Sequence, residues 1–174
     1  MPDLYAGWIY VGGILPARKL TELVRVIKDT DSDIETCGSH EGDHRVSACG
    51  LRNWLARREK PESLFLRAAE LVDGSFSALE QWLRASGMSY LRHSDAYCGI
   101  EAEIVGFVNG INIRSQANNA GDAVVLACDV LRAREALAQG RVLDAMDLLN
   151  RLLPDAFEAD VPPFMVRYAN GRLR

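Results

Sequence analysis

The sequence predicts an α+β domain in which a mostly antiparallel sheet carries helices on one face, with a ferredoxin-like β-α-β core and additional C-terminal helices. Segments rich in aromatic and branched side chains alternate with segments of helical periodicity in the first half of the chain. Later strand-like segments follow one another directly, and two helical segments come near the C-terminus. A length of 174 residues predicts one domain spanning 1–174.

The first elements are a strand and a helix. Residues 4–14 are aromatic and branched and break at Gly12-Gly13, which is typical of a strand that enters a turn. Pro16 suits the first turn of the helix that follows, because its fixed φ is helical. The side chains that share one face of this helix are Leu20, Leu23, Val24 and Ile27.

The middle of the chain continues this alternation. A short helix is expected over 47–58, and a buried strand over 64–72. Ser75 or Ser77 is expected to cap the next helix, with Glu80 completing a capping box and Gly87 ending the helix. Two further strands are expected, over 89–93 and 100–108.

The last third is expected to begin with a polar loop over 109–122, followed by a short strand over 124–127. Cys128, which follows this strand in the same apolar run, is expected to pack in the core. Asp129 is expected to cap a helix that Gly140 ends. A second helix over 142–153 follows, and residues 164–166 form an edge strand or a docked tail. The side chains expected to face inward from the second helix are Val142, Met146, Leu149 and Leu153.

Composition excludes several classes of protein. A net charge of −4 and 48% hydrophobic residues argue against disorder, and no apolar run is long enough for a membrane span. A pI near 5.4 argues against strong non-specific binding to nucleic acid. We therefore expect a cytoplasmic protein that does not bind membranes.

Two segments are the candidate contact surfaces for a macromolecular partner: the basic stretch over 52–58 and the polar loop over 109–122. A protein is the favoured kind of partner. An exposed aromatic surface is one interpretation of the four residues Trp8, Tyr10, Tyr90 and Tyr97, and core packing with strand propensity accounts for them more simply. The predicted partner-binding residues are Arg52, Trp54, Arg57, Arg58, Asn112 and Arg114.

Residues 40–44 form a literal H-E-x-x-H sequence in which His40 and His44 flank Glu41. On a helix, residues four apart share a face, so two imidazoles can bind one Zn²⁺ while the glutamate acts as general base. This pattern predicts a zinc-dependent hydrolase with Glu41 as its catalytic residue. Gly42 within the motif disfavours the required helix by about 1 kcal/mol relative to alanine, and no third ligand stands out.

The cysteines that flank this motif support a second interpretation. Cys37, His40, His44 and Cys49 supply two sulfur and two nitrogen ligands, the number and softness of a closed structural zinc site. Such a site would hold a glycine-rich segment together. In a third interpretation, which we favour, the segment is a polar loop that binds no metal. No cofactor is therefore expected, with zinc as the alternative.

The run F-x-x-L-E-x-W-L-x-x-x-G-M-x-Y-x-R-x-S-D over 76–95 resembles small uncharacterised proteins encoded by phages, plasmids and bacterial genomic islands. Those proteins also begin with a strand ending in Y-x-G-G before a helix, as over 10–27, and end with a Leu-rich helix and a Pro-Pro-apolar tail, as over 148–165. The segment 37–49 departs from this outline. The resemblance implies no activity and no catalytic residues, and makes a host-interaction or anti-defence role an expectation.

The absence of a complete catalytic set predicts a non-enzymatic binding protein. The outer face of the 100–108 strand is polar at one end and apolar at the other, and its apolar end, with aromatic residues of the first strand, predicts a homodimer interface. In the alternative, the C-terminal helices cover the same patch and the protein is a monomer. The residues of the predicted patch are Val105 and Phe107 with either Trp8 and Tyr10 or Tyr5 and Ile9.

Overall fold

The computed structural model describes residues 4–31, 33–36, 46–96, 101–118, 120–152 and 161–174. It confirms the predicted α+β class. The strands are β1 (Leu4–Pro16), β2 (Glu35–Thr36), β3 (Leu64–Val72), β4 (Ser89–Ser94), β5 (Glu103–Val108), β6 (Ile111–Gln116) and β7 (Phe164–Arg167). The helices are α1 (Leu20–Thr30), α2 (Ala48–Arg57), α3 (Ser77–Ala85), α4 (Ala127–Ala138) and α5 (Val142–Leu152), with a 3-10 turn over Ala17–Lys19.

Six strands form a sheet in the order β2–β3–β1–β4–β5–β6, and every neighbouring pair in it is antiparallel. The long strand β1 changes partner along its length, because Gly13–Pro16 pair in parallel with β7. Gly13 has a φ of +106°, and a Cβ on Gly12 would overlap the Pro162 carbonyl. The two glycines therefore bend β1 and let the segment before β7 approach it. The predicted edge strand at 164–166 is confirmed.

The helices α1, α2 and α3 and one face of the sheet contribute to one buried hydrophobic cluster. The four side chains of α1 that the sequence places on one face are all buried, and α2 and α3 each bury two leucines. Burying one such side chain stabilises the fold by about 1.5–3 kcal/mol. The helical members of the cluster are Leu20, Leu23, Val24, Ile27, Leu51, Leu55, Leu79 and Leu83.

The start of α3 differs from the predicted capping box. Phe76 occupies the N-cap position, and the hydroxyls of Ser75 and Ser77 bond each other at 2.5 Å rather than capping the helix. Glu80 accepts a hydrogen bond from the Phe76 backbone nitrogen at 3.1 Å. The helix therefore keeps the glutamate half of a capping box without its serine half.

Residues 109–122, predicted to be a polar loop, instead begin with a turn and the strand β6. Asn109 and Gly110 have φ angles of 51° and 89°, as in the two-residue turns that join antiparallel strands. Ile113 pairs with Gly106 and is buried. The prediction was wrong because most residues of this segment are polar, which is typical of a loop. The features that indicate a hairpin are limited to the Asn109-Gly110 turn and the alternation of Ile111 and Ile113.

Several predictions for the C-terminal helices are also wrong. Residues 124–127 form no strand, since Ala127 already begins α4, and Leu126 rather than Asp129 occupies its N-cap. Cys128 is exposed rather than in the core. Of the four residues predicted to face inward from α5, Val142 and Met146 are each 53% exposed, Leu149 is half-buried, and Leu153 lies outside the described residues.

The helices α4 and α5 pack against each other. Their buried residues are the alanines Ala133, Ala136 and Ala145, whose small side chains permit a close approach of the two backbones. No helix among the described residues combines the length and the apolar character that a membrane span requires.

The patch predicted to mediate dimerisation is not continuous. The register places Val105 and Phe107 on the face that carries α3, where the Arg84 guanidinium lies 5.5 Å from the Phe107 ring. Trp8 and Tyr10 lie on the opposite face of the sheet. Tyr5 and Ile9 share the face of Phe107, but both are buried. The predicted residues therefore do not form one continuous exposed patch, and the homodimer itself stays a prediction.

Candidate functional site

The predicted contact stretch at 52–58 forms most of α2, and its side chains divide into two groups. Arg52 and Arg57 are exposed. The Arg58 guanidinium lies 5.1 Å from the Trp54 ring centroid and donates from Nη1 to the Phe164 carbonyl at 2.7 Å. Desolvation by burial lowers the pKa of Arg58, and the charge of Glu62 opposes this shift. Trp54 and Arg58 thus hold β7 in place, which leaves Arg52 and Arg57 as the accessible members of the stretch.

The other two predicted contact residues lie on β6, at the rim of a charged network. Asn112 Oδ1 accepts from Arg84 Nη1 at 2.5 Å. The exposed Arg114 lies 3.1 Å from Glu103 Oε2. Both side chains therefore have intramolecular partners and extend a network that continues into the protein.

Arg92 is the centre of this network and is only 4% exposed. Its Nη1 donates to the Gly74 carbonyl at 2.7 Å and to Ser94 Oγ at 2.9 Å, and its Nη2 donates to Glu103 Oε1 at 2.6 Å. Its Nε lies 3.0 Å from Glu80 Oε1, but its N–H is not aimed at the carboxylate, so this contact is an ion pair only. Burial acts to raise the pKa of Glu103, and the arginines outweigh it, so the pKa falls below its usual 4.5. Each carboxylate of the network therefore has an arginine within ion-pair distance: Glu80 has Arg92, and Glu103 has both Arg92 and Arg114.

The predicted metal ligands Cys37, His40 and His44, with the predicted base Glu41, lie outside the described residues. The fourth predicted ligand, Cys49, is exposed on α2, where its sulfur accepts from Asn53 Nδ2 at 3.7 Å. Within the described parts of the chain, no three His, Cys, Asp or Glu side chains come together as a metal site. Both zinc hypotheses therefore stay predictions.

The sheet face that points away from α3 carries an open cleft of about 380 Å³ along β1 and β3. Tyr10 pairs across the strands with Phe65, and their ring centroids lie 4.7 Å apart. Trp8 pairs with Arg67 in the next row of the sheet, and Arg67 is exposed. The half-buried aromatic rings form the floor of this cleft. Its lining residues are Ala6, Gly7, Trp8, Tyr10, Phe65, Arg67, Asp95 and Ala120.

One end of this aromatic cleft is built on His93 of β4. The Trp8 and His93 rings stack with centroids 3.9 Å apart. His93 Nε2 lies 2.9 Å from the Asn118 carbonyl. Because a carbonyl only accepts, this nitrogen carries the proton in the neutral ring. His93 Nδ1 then faces Asp95 Oδ1 at 3.7 Å, beyond hydrogen-bond distance. The imidazole is 4% exposed and serves as a support for Trp8.

The segment that follows β6 closes this end of the cleft. Asn118 Oδ1 accepts from the backbone nitrogens of Ala120 and Asp122 at 2.9 and 3.0 Å, which fixes a tight turn. Gly121 has a φ of +88°, and a Cβ at this position would lie 3.0 Å from Trp8 Cζ2. A side chain here would strain the backbone, and its Cβ would make a tight contact with the indole ring.

The cleft can hold a flat or apolar group between charges of opposite sign. Its volume lies within the roughly 300–1,000 Å³ of small binding pockets. Arg67 lies beside Glu35 of β2, and Asp95 also lines the cleft. Alternation along the strands places Trp8 with Tyr10, and Phe65 with Arg67, on one face of each strand, but it does not show whether helices cover that face. Core packing is therefore the simpler prediction from the sequence for Trp8 and Tyr10, whereas the structure leaves both half-buried in the cleft.

The fold and this cleft define an α+β protein with an aromatic cleft, rimmed by charged side chains, on one face of its sheet. No protein-family model matches the chain, and neither a curated protein nor a solved structure shows significant similarity to it.

Proposed function

We propose that this protein is a non-enzymatic binding protein that holds a segment of a partner protein in the aromatic cleft. The observation that carries the proposal is the row of half-buried rings, Trp8, Tyr10 and Phe65, on a sheet face that points away from α3. Aromatic side chains supply much of the binding energy of protein interfaces, because they bury a large area at a small cost in conformational entropy.

The charges around the cleft favour a peptide over nucleic acid. Arg67 has the acidic neighbour Glu35 across the strand pair, and Asp95 lines the same cleft. A phosphate backbone requires several uncompensated cations, whereas a peptide with an apolar side chain between residues of mixed charge matches this rim. A host-interaction role, including anti-defence, is consistent with such a surface and is part of the proposal.

A catalytic role for the cleft has less support. His93 is its one imidazole among the described residues, and its Nε2 is engaged by the Asn118 carbonyl. A general base needs a nitrogen or carboxylate within reach of the substrate. His93 is nearly completely buried behind Trp8, which leaves Asp95 as the one carboxylate among the lining residues, without an imidazole that a substrate can reach.

Selection of peptides from a random display library on the immobilised protein tests the proposal. The enriched peptides should bind at least tenfold more weakly to Tyr10→Ala and Arg67→Glu, since each change removes a side chain of the cleft. The matched control is Arg52→Glu on α2, which makes the same charge change on an exposed arginine elsewhere and should bind normally. Thermal melting verifies that all variants are folded.

Two outcomes contradict the proposal. Peptides whose binding is lost in Arg52→Glu and retained in both cleft variants would move the contact surface to α2. Tight, salt-dependent binding of a single-stranded oligonucleotide, with no peptide enriched, would replace the protein partner by nucleic acid.

A further inference from the structure

Exposed aliphatic side chains are concentrated on the hairpin formed by α4 and α5. Of the twelve large hydrophobic residues exposed in the described parts of the chain, eight lie between positions 124 and 146. Single exposed aliphatic residues are normal on a protein surface, but a contiguous group marks an interaction site. The eight residues are Val124, Leu126, Val130, Leu131, Leu137, Val142, Leu143 and Met146.

Helical spacing places most of this group on one flank of the hairpin. Val130 and Leu137 are seven residues apart and lie on one stripe of α4, and Leu126 occupies the N-cap position at the start of that helix. Val142 and Met146 are four residues apart on α5. In an antiparallel pair that meets along its alanines, these two stripes border the contact on the same side. They form one surface, the hairpin face, made of Leu126, Val130, Leu137, Val142 and Met146.

The described part of this chain does not cover the hairpin face. Each of its five side chains is about half exposed, between 48% and 53%. Among the side chains of this helix pair that the structure describes, those that are completely buried are alanines, which are 0–2% exposed, while Leu148 and Leu149 are half-buried. The two helices are therefore amphipathic, with an apolar stripe that the fold as described leaves in contact with water.

We propose that the hairpin face binds a second copy of the same chain, so that two α4–α5 hairpins form a four-helix bundle. A twofold axis places the same patch on both sides of an interface, which suits a surface that is apolar throughout. Helices of about 16–18 Å, spaced about 8–10 Å apart, present a face that can bury several hundred Å² per chain. This approaches the roughly 800 Å² that each partner buries in a standard interface.

The charges of the two helices favour self-association over a lipid surface. Residues 127–152 contain four arginines and four acidic residues, so the hairpin has no net charge and does not repel its copy. Helices that lie on membranes instead carry an excess of basic residues, which attracts anionic lipids. This interface is distinct from the aromatic cleft, so each proposal can fail without the other.

Light scattering after size-exclusion chromatography, from micromolar to millimolar protein, tests the dimer. The full chain should have twice the 19.2 kDa mass of one copy. The double variant Val130→Glu, Met146→Glu should weaken the dimer at least a hundredfold and elute as one copy, because it places buried charges at the centre of the interface. Both positions are exposed in a single chain, so the variant should fold, as circular dichroism verifies.

The control is Leu143→Glu, on α5 but away from the hairpin face, and 79% exposed. It should leave the dimer intact. A mass of one copy at millimolar protein, or a dimer that survives the double variant, would overturn the proposal. Flotation of a monomeric protein with vesicles of anionic phospholipid would also overturn it, because the face would then belong to lipid.

Discussion

Replacing Arg92 by methionine should strongly destabilise the protein. The guanidinium is 4% exposed and contacts two carboxylates, the Gly74 carbonyl and the Ser94 hydroxyl. Methionine fills much of the volume but leaves Glu80 and Glu103 without their shared cation. Removing one partner of a fully buried ion pair costs about 3–5 kcal/mol. The loss here should be about 3 kcal/mol, at the lower end of that range, because Glu80 and Glu103 are 14% and 26% exposed and Glu103 keeps its contact with Arg114. This is a large part of the roughly 5–15 kcal/mol by which a domain is stable.

Urea unfolding at neutral pH, followed by circular dichroism, measures this loss. With an m value of about 1–3 kcal/mol per molar urea, the midpoint should fall by about 2 M. Arg132→Met is the matched control, since Arg132 pairs with Asp129 at 3.1 Å but is 69% exposed, and such surface pairs contribute less than about 1 kcal/mol. Equal losses in the two variants would refute the assignment of Arg92 as the centre of a stabilising network.

Three further predictions concern pH, backbone contact and zinc. The pKa of Glu103 in the folded protein lies below its usual 4.5. The stability that this carboxylate contributes is therefore complete above pH 4.5 and is lost as the pH falls through the folded pKa. In Glu103→Gln the urea midpoint should fall less steeply on acidification than in the unaltered protein, and equal slopes in the two proteins would contradict this. Gly12→Ala should lower the melting temperature by several degrees and expose β7 to hydrogen exchange, because its Cβ would meet the Pro162 carbonyl, whereas the same change at Gly87, which has space but a φ of +68°, should leave β7 protected. Elemental analysis of protein purified without chelator tests both zinc hypotheses at once; if zinc is present, Cys37→Ser should lower stability in a structural site, while Glu41→Gln should abolish hydrolysis without unfolding in a catalytic one.

The sequence correctly predicted the helices and strands that have a regular spacing of apolar residues over several turns or pleats and a capping residue, glycine or proline near their ends. The spacing of Leu20, Leu23, Val24 and Ile27 predicted α1, and the structure buries all four. The helix at 47–58 and the strand at 64–72 were also predicted, since Ser47 caps α2 and the chain extends through Leu64–Val72. Local periodicity determines these elements before any tertiary contact forms.

The aromatic cleft depends on information that periodicity does not contain. Alternation along β1 separates Trp8 and Tyr10 from Ile9 and Val11, but it does not show which of the two faces the helices cover. Ile9 and Val11 are completely buried, whereas the two aromatic residues are half-buried. The position of α1, α2 and α3 decides this, and it follows from packing across the whole sheet.

Periodicity also does not show which element covers an apolar face of a helix, and this explains the wrong prediction for α5. That wrong prediction bears on function. Val142 and Met146 have the spacing of core residues, and the pattern correctly identified an amphipathic helix. An apolar stripe shows that a helix needs a partner, but not that the partner belongs to the same fold. Here the buried alanines of α4 and α5 lie where the two helices meet, and Val142 and Met146 remain exposed. A residue that follows the pattern of a core and yet faces water is therefore evidence for an interface, which is the argument that leads from these two residues to a second copy of the chain.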